Sequence, residues 1–146
     1  MMPVMKARVP PVVATVAIAA ATAGTTLLLD VTWLGVVARG IYASALGSLE
    51  RDSPYLPAAG LFYALYVAAI VQHAVRGSTS VGGAARRGAA LGLVVYATYD
   101  LTNWAVLRGW PAFLVPIDVA WGVVLTAIAA SVGKLVEGRL RPRDAR

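Results

Sequence analysis

Long apolar intervals, broken by short charged stretches, organise the chain. Between Arg8 and Arg39 the only charged residue is Asp30, and between Asp52 and Arg76 there is none. Between Arg87 and Arg108 the only one is Asp100, and between Arg108 and Lys134 it is Asp118. Each interval reaches the roughly 20 residues that a helix needs to cross a bilayer. The pattern predicts four spans at about 11–37, 56–75, 88–107 and 111–136. A helix satisfies its own backbone in lipid, so the expected fold is all-α: a polytopic bundle of four transmembrane helices. The whole chain, 1–146, reads as a single integral membrane domain with a basic tail at 137–146 and a polar, glycine-rich loop at 78–83.

The start of the chain also has the look of a secretory signal. Lys6 and Arg8 precede an apolar run, and Ala21-Thr22-Ala23 lies before Gly24. The apolar character resumes after Thr26 and continues through Trp33-Leu34 to Ala38. The segment is therefore expected to be retained as the first span.

Composition strengthens the membrane reading. Apolar residues make up 59% and charged ones 14%, against about 45–50% and about 25% in soluble domains. With no cysteine, disulfides, thiol catalysis and Cys-ligated zinc are excluded. A single histidine, His73, excludes a multi-His metal site in one chain. No cofactor and no metal are expected. The net charge of +6 raises nucleic acid as a partner, but the placement of the charges accounts for it otherwise. The N-terminus, second loop and C-terminal segment carry 10 Lys and Arg, against 3 in the first and third loops. The richer side is expected to be cytoplasmic, so that both termini face the cytoplasm. No basic face then remains for nucleic acid. Arg139, Arg141, Arg143 and Arg146 are available to anionic headgroups, diluted by Glu137 and Asp144.

Three aspartates lie inside spans. Each costs about 2.5–3.5 kcal/mol at a helix centre, so each calls for a reason. Asp30 lies 7 residues before Val37, Asp100 lies 7 before Leu107, and Asp118 lies 7 after Pro111. On the topology above, all three sit roughly 10 Å inside the outer boundary. Three carboxylates at one level predict a shared polar site in the outer half of the bilayer. In low dielectric they cannot all ionise at close range, so at least one is expected to hold a proton.

Helical spacing adds candidate neighbours. Tyr96, Tyr99, Asp100, Asn103 and Leu107 share one face of the third span, while Thr98 and Thr102 fall off it and are expected to bond the carbonyl four residues back. Tyr63, Tyr66, Ile70 and His73 share a face of the second span. There His73, near the inner end, reads as an interfacial residue beside Arg76 or as a step in a proton path. Thr22, Thr26, Asp30, Trp33 and Val37 align on the first span; Asp118, Trp121, Gly122 and Leu125 align on the fourth. Trp33, Trp104 and Trp110 fall where an aromatic belt is expected. That reading is preferred for Trp110, whereas Trp33 and Trp121 are as well placed to line the site. An aromatic face beside carboxylates suits an organic cation. Pro116 either kinks the fourth span, freeing the Ala112 carbonyl, or starts it; the kink is preferred. Gly88 and Gly92 form a G-x-x-x-G, and Ala17, Ala21 and Gly24 give the first helix a thin side. Both features permit close helix packing, and a homodimer is compatible with them.

The run Tyr96-Ala-Thr-Tyr-Asp-Leu-Thr-Asn103 and the following Leu107-Arg-Gly-Trp-Pro111 resemble the signature of an uncharacterised bacterial membrane family, domain of unknown function 2177. Asp30 with Trp33-Leu34-Gly35, the stretch Phe62-Tyr63-Ala-Leu-Tyr66, and Asp118-Val-Ala-Trp121-Gly122 are similar to the same pattern. The resemblance implies a four-helix inner-membrane protein and carries over no catalytic or binding residue.

Three functions remain open at this point. The first is binding or transport of a small cation or polar solute, coupled to protons. Its site would comprise Asp30, Asp100, Asp118, Tyr63, Tyr66, Tyr96, Tyr99, Asn103, Trp33 and Trp121. The second is a membrane-embedded enzyme acting on a lipid or isoprenoid, with carboxylates as acid and base. No D-x-x-D pair, His cluster or nucleophile elbow supports it, and no catalytic residue is assigned. The third is a structural or accessory subunit whose aspartates tie helices together. The charge bias makes one direct prediction: reporters fused after Arg51 and Arg108 should read outside, and one after Arg146 inside. An outside signal at Arg146 would overturn the topology.

Overall fold

The computed structural model describes residues 9–140. Lys6, Arg8, Arg141, Arg143, Asp144 and Arg146, used above for topology, lie outside the described residues. Among the described residues the fold is all-helical. Helix α1 runs Pro11–Thr32 and continues as a π-helical turn, Trp33–Val37. Helix α2 is short, Arg39–Leu46, followed by a 3-10 turn, Gly47–Leu49. Helix α3 runs Leu56–Ala69 and ends in a second π-helical turn, Ile70–Val75. Helices α4, Val81–Val106, and α5, Leu114–Leu140, complete the chain. The segments Pro11–Val37, Leu56–Val75 and Leu114–Leu140 are each long and apolar enough to cross a membrane. The fourth expected span, α4, has the length, with 26 residues. It also carries Arg86, Arg87 and Asp100, which lower its apolarity.

Local chemistry sets the ends. Pro11 and Pro57 stand in the first turns of α1 and α3, where a missing N–H costs nothing. Ser80 caps α4 by accepting from the Gly83 amide at 3.0 Å. This cap starts α4 seven residues before the expected boundary and absorbs part of the loop read at 78–83. At Pro116 the preferred kink is not what forms. Helix α5 starts at Leu114, so Pro116 lies in the first turn, and Asp118 comes just after it. A proline there breaks no hydrogen bond, which removes the reason for a kink. At the other end, α5 extends to Leu140, so Glu137 and Arg139 are helical rather than part of a tail.

Helix α5 is the hub, packed against α4, α1 and the π-helical end of α3. Glycines bring α4 and α5 together. A Cβ on Gly92 would sit 2.1 Å from the Gly122 carbonyl oxygen, and one on Gly88 would sit 2.6 Å from that of Thr126. One on Gly122 would sit 2.2 Å from the Tyr96 ring. The G-x-x-x-G of α4 thus serves an internal contact with α5. On the α1 side the small residue is Gly133 of α5, whose Cβ would lie 2.5 Å from Thr22 Oγ1. The expected thin side of α1 is not what packs there: Gly24 faces open space. Thr22 and Thr26 are fully buried, and each hydroxyl donates to the carbonyl four residues back, at 2.9 and 2.8 Å.

The far end of the bundle, where α3 stops, is closed by cations. Lys134 is buried; its Nζ donates to the Val75 carbonyl at 3.0 Å and also to the Ser78 carbonyl, and it pairs with Glu137. Arg87 donates to the His73 carbonyl at 3.2 Å. Arg76 donates to the Thr15 hydroxyl at 2.6 Å. Lys134 and Arg87 satisfy carbonyls that a helix leaves orphaned at its C-terminus.

The glycine seam makes a sharp prediction. Gly92→Ala should destabilise the protein by about 1–3 kcal/mol through overpacking against backbone. Gly60→Ala, on α3 with no atom within 4 Å of the new Cβ, should be neutral or slightly stabilising. Thermal unfolding of both variants in detergent checks this, and equal stability would refute the seam.

Candidate functional site: buried carboxylates among aromatic rings

All three aspartates are buried: Asp30 is 5% exposed, Asp100 0% and Asp118 7%. Asp30 projects from α1 and joins three helices. Its Oδ2 accepts from the Tyr63 hydroxyl of α3 at 2.8 Å. Its Oδ1 accepts from the Trp121 indole N–H of α5 at 3.1 Å. Trp121 stacks on Trp33, with centroids 4.4 Å apart and planes 8° off parallel. The Trp33 N–H in turn donates to Tyr42 of α2 at 3.3 Å.

The π-helical turns decide which residues reach this region. In α1 the Ala38 amide bonds the Trp33 carbonyl, five residues back, at 2.7 Å. The extra residue turns Val37 out to 61% exposure and brings Ala38 in, breaking the 3.6-residue face expected through Val37. In α3 the Arg76 amide bonds the Val71 carbonyl in the same way at 2.9 Å. The buried face therefore passes from Tyr66 and Ile70 to Val71, Ala74 and Val75, and His73 is exposed. His73 takes no place among the carboxylates; its carbonyl receives Arg87.

A second tier lies behind Asp30. The Tyr66 hydroxyl and Thr126 Oγ1 are 2.5 Å apart, and Thr126 also bonds the Gly122 carbonyl at 2.5 Å. The Tyr66 ring meets Phe62 at 5.2 Å and Tyr96 at 6.4 Å. Sequence reasoning did not single out Thr126. Extending the α5 face one turn, from Asp118 and Gly122, would have reached it. Tyr42 carried no such signal, because nothing marked its loop as helical.

The carboxylates divide into two groups. Asp118 is within electrostatic reach of Asp30. Among the described residues no hydrogen bond or ion pair reaches Asp118. Asp100 stands apart. Its electrostatic neighbours are Tyr96, Tyr99 and Trp110. The buried Trp110 N–H is the donor directed at Asp100, in a geometry looser than an ordinary hydrogen bond. Trp110 is half-buried and meets Tyr99 edge-on at 5.7 Å. Tyr99 itself is 56% exposed, Asn103 is half-buried, and Leu107 is exposed. Of the two hydroxyls set aside, Thr102 bonds back to the Thr98 carbonyl at 2.5 Å.

The match to a family model runs over residues 15–135, which takes in every residue of this region. The chain belongs to the family described as predicted membrane protein, DUF2177. No curated protein and no solved structure matches it. Membership accounts for the membrane character of the chain, and the chemistry of the buried carboxylates rests on the geometry above.

Asp30 is an acceptor for two donors from two other helices. Asp30→Leu strands both and should cost about 2–6 kcal/mol, at about 1–3 kcal/mol for each unsatisfied buried donor. Tyr63→Phe and Trp121→Phe each remove one bond and should cost about 1 kcal/mol. Unfolding measurements on the three variants check the order; a stable Asp30→Leu would refute the tie.

Proposed function

We propose that the chain is a four-helix inner-membrane protein with both termini cytoplasmic, which binds a small cation in exchange for a proton. The site is Asp30 and Asp118, walled by Trp33, Trp121, Tyr63, Tyr66 and Tyr96, in the outer half of the bilayer. Asp100, with Tyr99, Asn103 and Trp110, forms a neighbouring carboxyl site on the same side.

One observation carries this reading. Three carboxylates are buried, and among the described residues no Lys or Arg pairs with any of them; the ion pair present is Lys134–Glu137, at the other end. An uncompensated buried charge is too costly to persist, so a buried carboxyl without donors either carries a proton or faces a cation from outside the protein. Asp30 is committed by its two hydrogen bonds. Asp118, one helical turn before Trp121 on α5 and within electrostatic reach of Asp30, has no hydrogen-bond or ion-pair partner among the described residues. Aromatic faces and a carboxylate together suit an organic cation better than a hard metal ion, whose shell needs several oxygen ligands.

Exchange fixes the sign of the pH dependence. Proton and cation compete for one carboxyl, so binding strengthens as pH rises. Equilibrium binding of tetraphenylphosphonium to the purified protein in nanodiscs should be tighter at pH 8 than at pH 5. In Asp118→Asn, which keeps the shape and loses the exchangeable proton, binding and its pH dependence should both be lost. Binding that is absent at both pH values, or unchanged in Asp118→Asn, would refute the proposal.

A further inference from the structure

Helix α3 is held very differently along its length. Its π-helical end packs against α4, α5 and α1, and Ile70, Val71, Ala74 and Val75 there are at most 5% exposed. Above Ile70 the principal neighbour of α3 is α1. Leu56, Leu61 and Leu65 are 74%, 63% and 64% exposed, and Phe62 is 40% exposed. Near its lower end Tyr66 and Val67 are buried in the core, where Tyr66 also bonds Thr126 and meets the Tyr96 ring; above them the side-chain hydrogen bond to the rest is Tyr63 to Asp30. By contrast, α4 and α5 meet backbone to backbone through glycine. Rings, not backbones, separate α3 from α4 and α5 at the level of Asp30.

A π-helical turn is a break in hydrogen-bond register, and such breaks are frequent at functional hinges. Here the turn forms the tightly packed end itself, and its start at Ile70 is the boundary with the more exposed segment above. A side-chain hydrogen bond is a weak fastening compared with a close-packed backbone seam. The face this segment turns outward is leucine and phenylalanine, which suits contact with lipid tails.

We propose that the upper half of α3 is a lateral gate, hinged at Ile70 where the π-helical turn begins and latched by Tyr63 on Asp30, through which the site opens sideways into the bilayer. The inference rests on the cation-binding reading and specifies its ligand class: a membrane-dissolved amphiphile with a cationic head and an apolar chain. The head reaches Asp118 and the indoles, while the chain stays in lipid between α3 and α4. Entry breaks the Tyr63–Asp30 bond and bares the second carboxylate at the moment a cation arrives to face it.

The absence of cysteine lets paired spin labels be placed without background. One pair, Leu61→Cys with Leu101→Cys, spans the proposed opening. A control pair, Gln72→Cys with Arg86→Cys, lies below the hinge. In nanodiscs, Tyr63→Phe should broaden the upper distance distribution toward longer distances and leave the lower one unchanged. An unchanged upper pair, or equal broadening of both, overturns the gate. A series of alkyltrimethylammonium ions tests the ligand class, with Asp118→Asn nanodiscs as the reference for partition into lipid. Dodecyltrimethylammonium should bind about tenfold or more tighter than tetramethylammonium. Equal affinities overturn sideways entry while leaving cation binding intact. If no cation binds while the upper pair still moves, the hinge stands, and both the ligand class and the cation-binding reading are overturned.

Discussion

A buried carboxylate needs a partner, and the arrangement of this chain turns on the fact that its own cations are elsewhere. Lys134, Arg87 and Arg76 cluster where α3 ends, and three of their contacts are with backbone carbonyls. Asp30, Asp100 and Asp118 lie toward the opposite end. Insertion of three acidic groups into hydrocarbon is tolerable when they face protein and stay neutral or compensated. Asp30 solves this with two donors drawn from two helices. Asp118 has no such donor among the described residues, and Asp100 has the Trp110 N–H beside it, so the three carboxylates are held differently.

Two kinds of packing follow from residue size. Glycine at positions 88, 92, 122 and 133 lets α5 approach α4 and α1 at backbone distance. Tyrosine and tryptophan at positions 63, 66, 96 and 121 hold helices apart and fill the space with groups that have both an apolar face and a polar edge. The first kind gives rigidity, since a close-packed seam has little freedom to shift. The second leaves a region whose fastenings are few and directional. A site between a rigid pair and a loosely held third helix can admit a ligand without unfolding the bundle.

The membrane character was legible from the spacing of charges alone, and the first two spans fell at Pro11–Val37 and Leu56–Val75 as the intervals indicated. The burial of Asp30, Asp100 and Asp118 was legible too, because a charge at membrane depth must turn inward. Helical periodicity correctly placed Thr22, Thr26 and Asp30 on one face, and Asp118, Gly122 and Leu125 on another. It failed at Val37 and His73, where a π-helical turn shifts the register by one residue. Nothing in an apolar stretch marks such a turn. Nor did spacing along the chain indicate that the Trp110 N–H is buried beside Asp100. Spacing assigns depth and face, but pairing between helices depends on three-dimensional register. For that reason Tyr63 and Trp121 meeting on Asp30 could be listed as neighbours and not as partners.

The central claim is that a carboxyl in this region gives up a proton when a cation takes its place. Infrared difference spectroscopy on adding tetraphenylphosphonium to the protein in nanodiscs reads that event directly. The account predicts loss of a protonated carboxyl C=O band and gain of a carboxylate band, both missing in Asp118→Asn. A spectrum in which cation binding leaves every carboxyl band unchanged would contradict it.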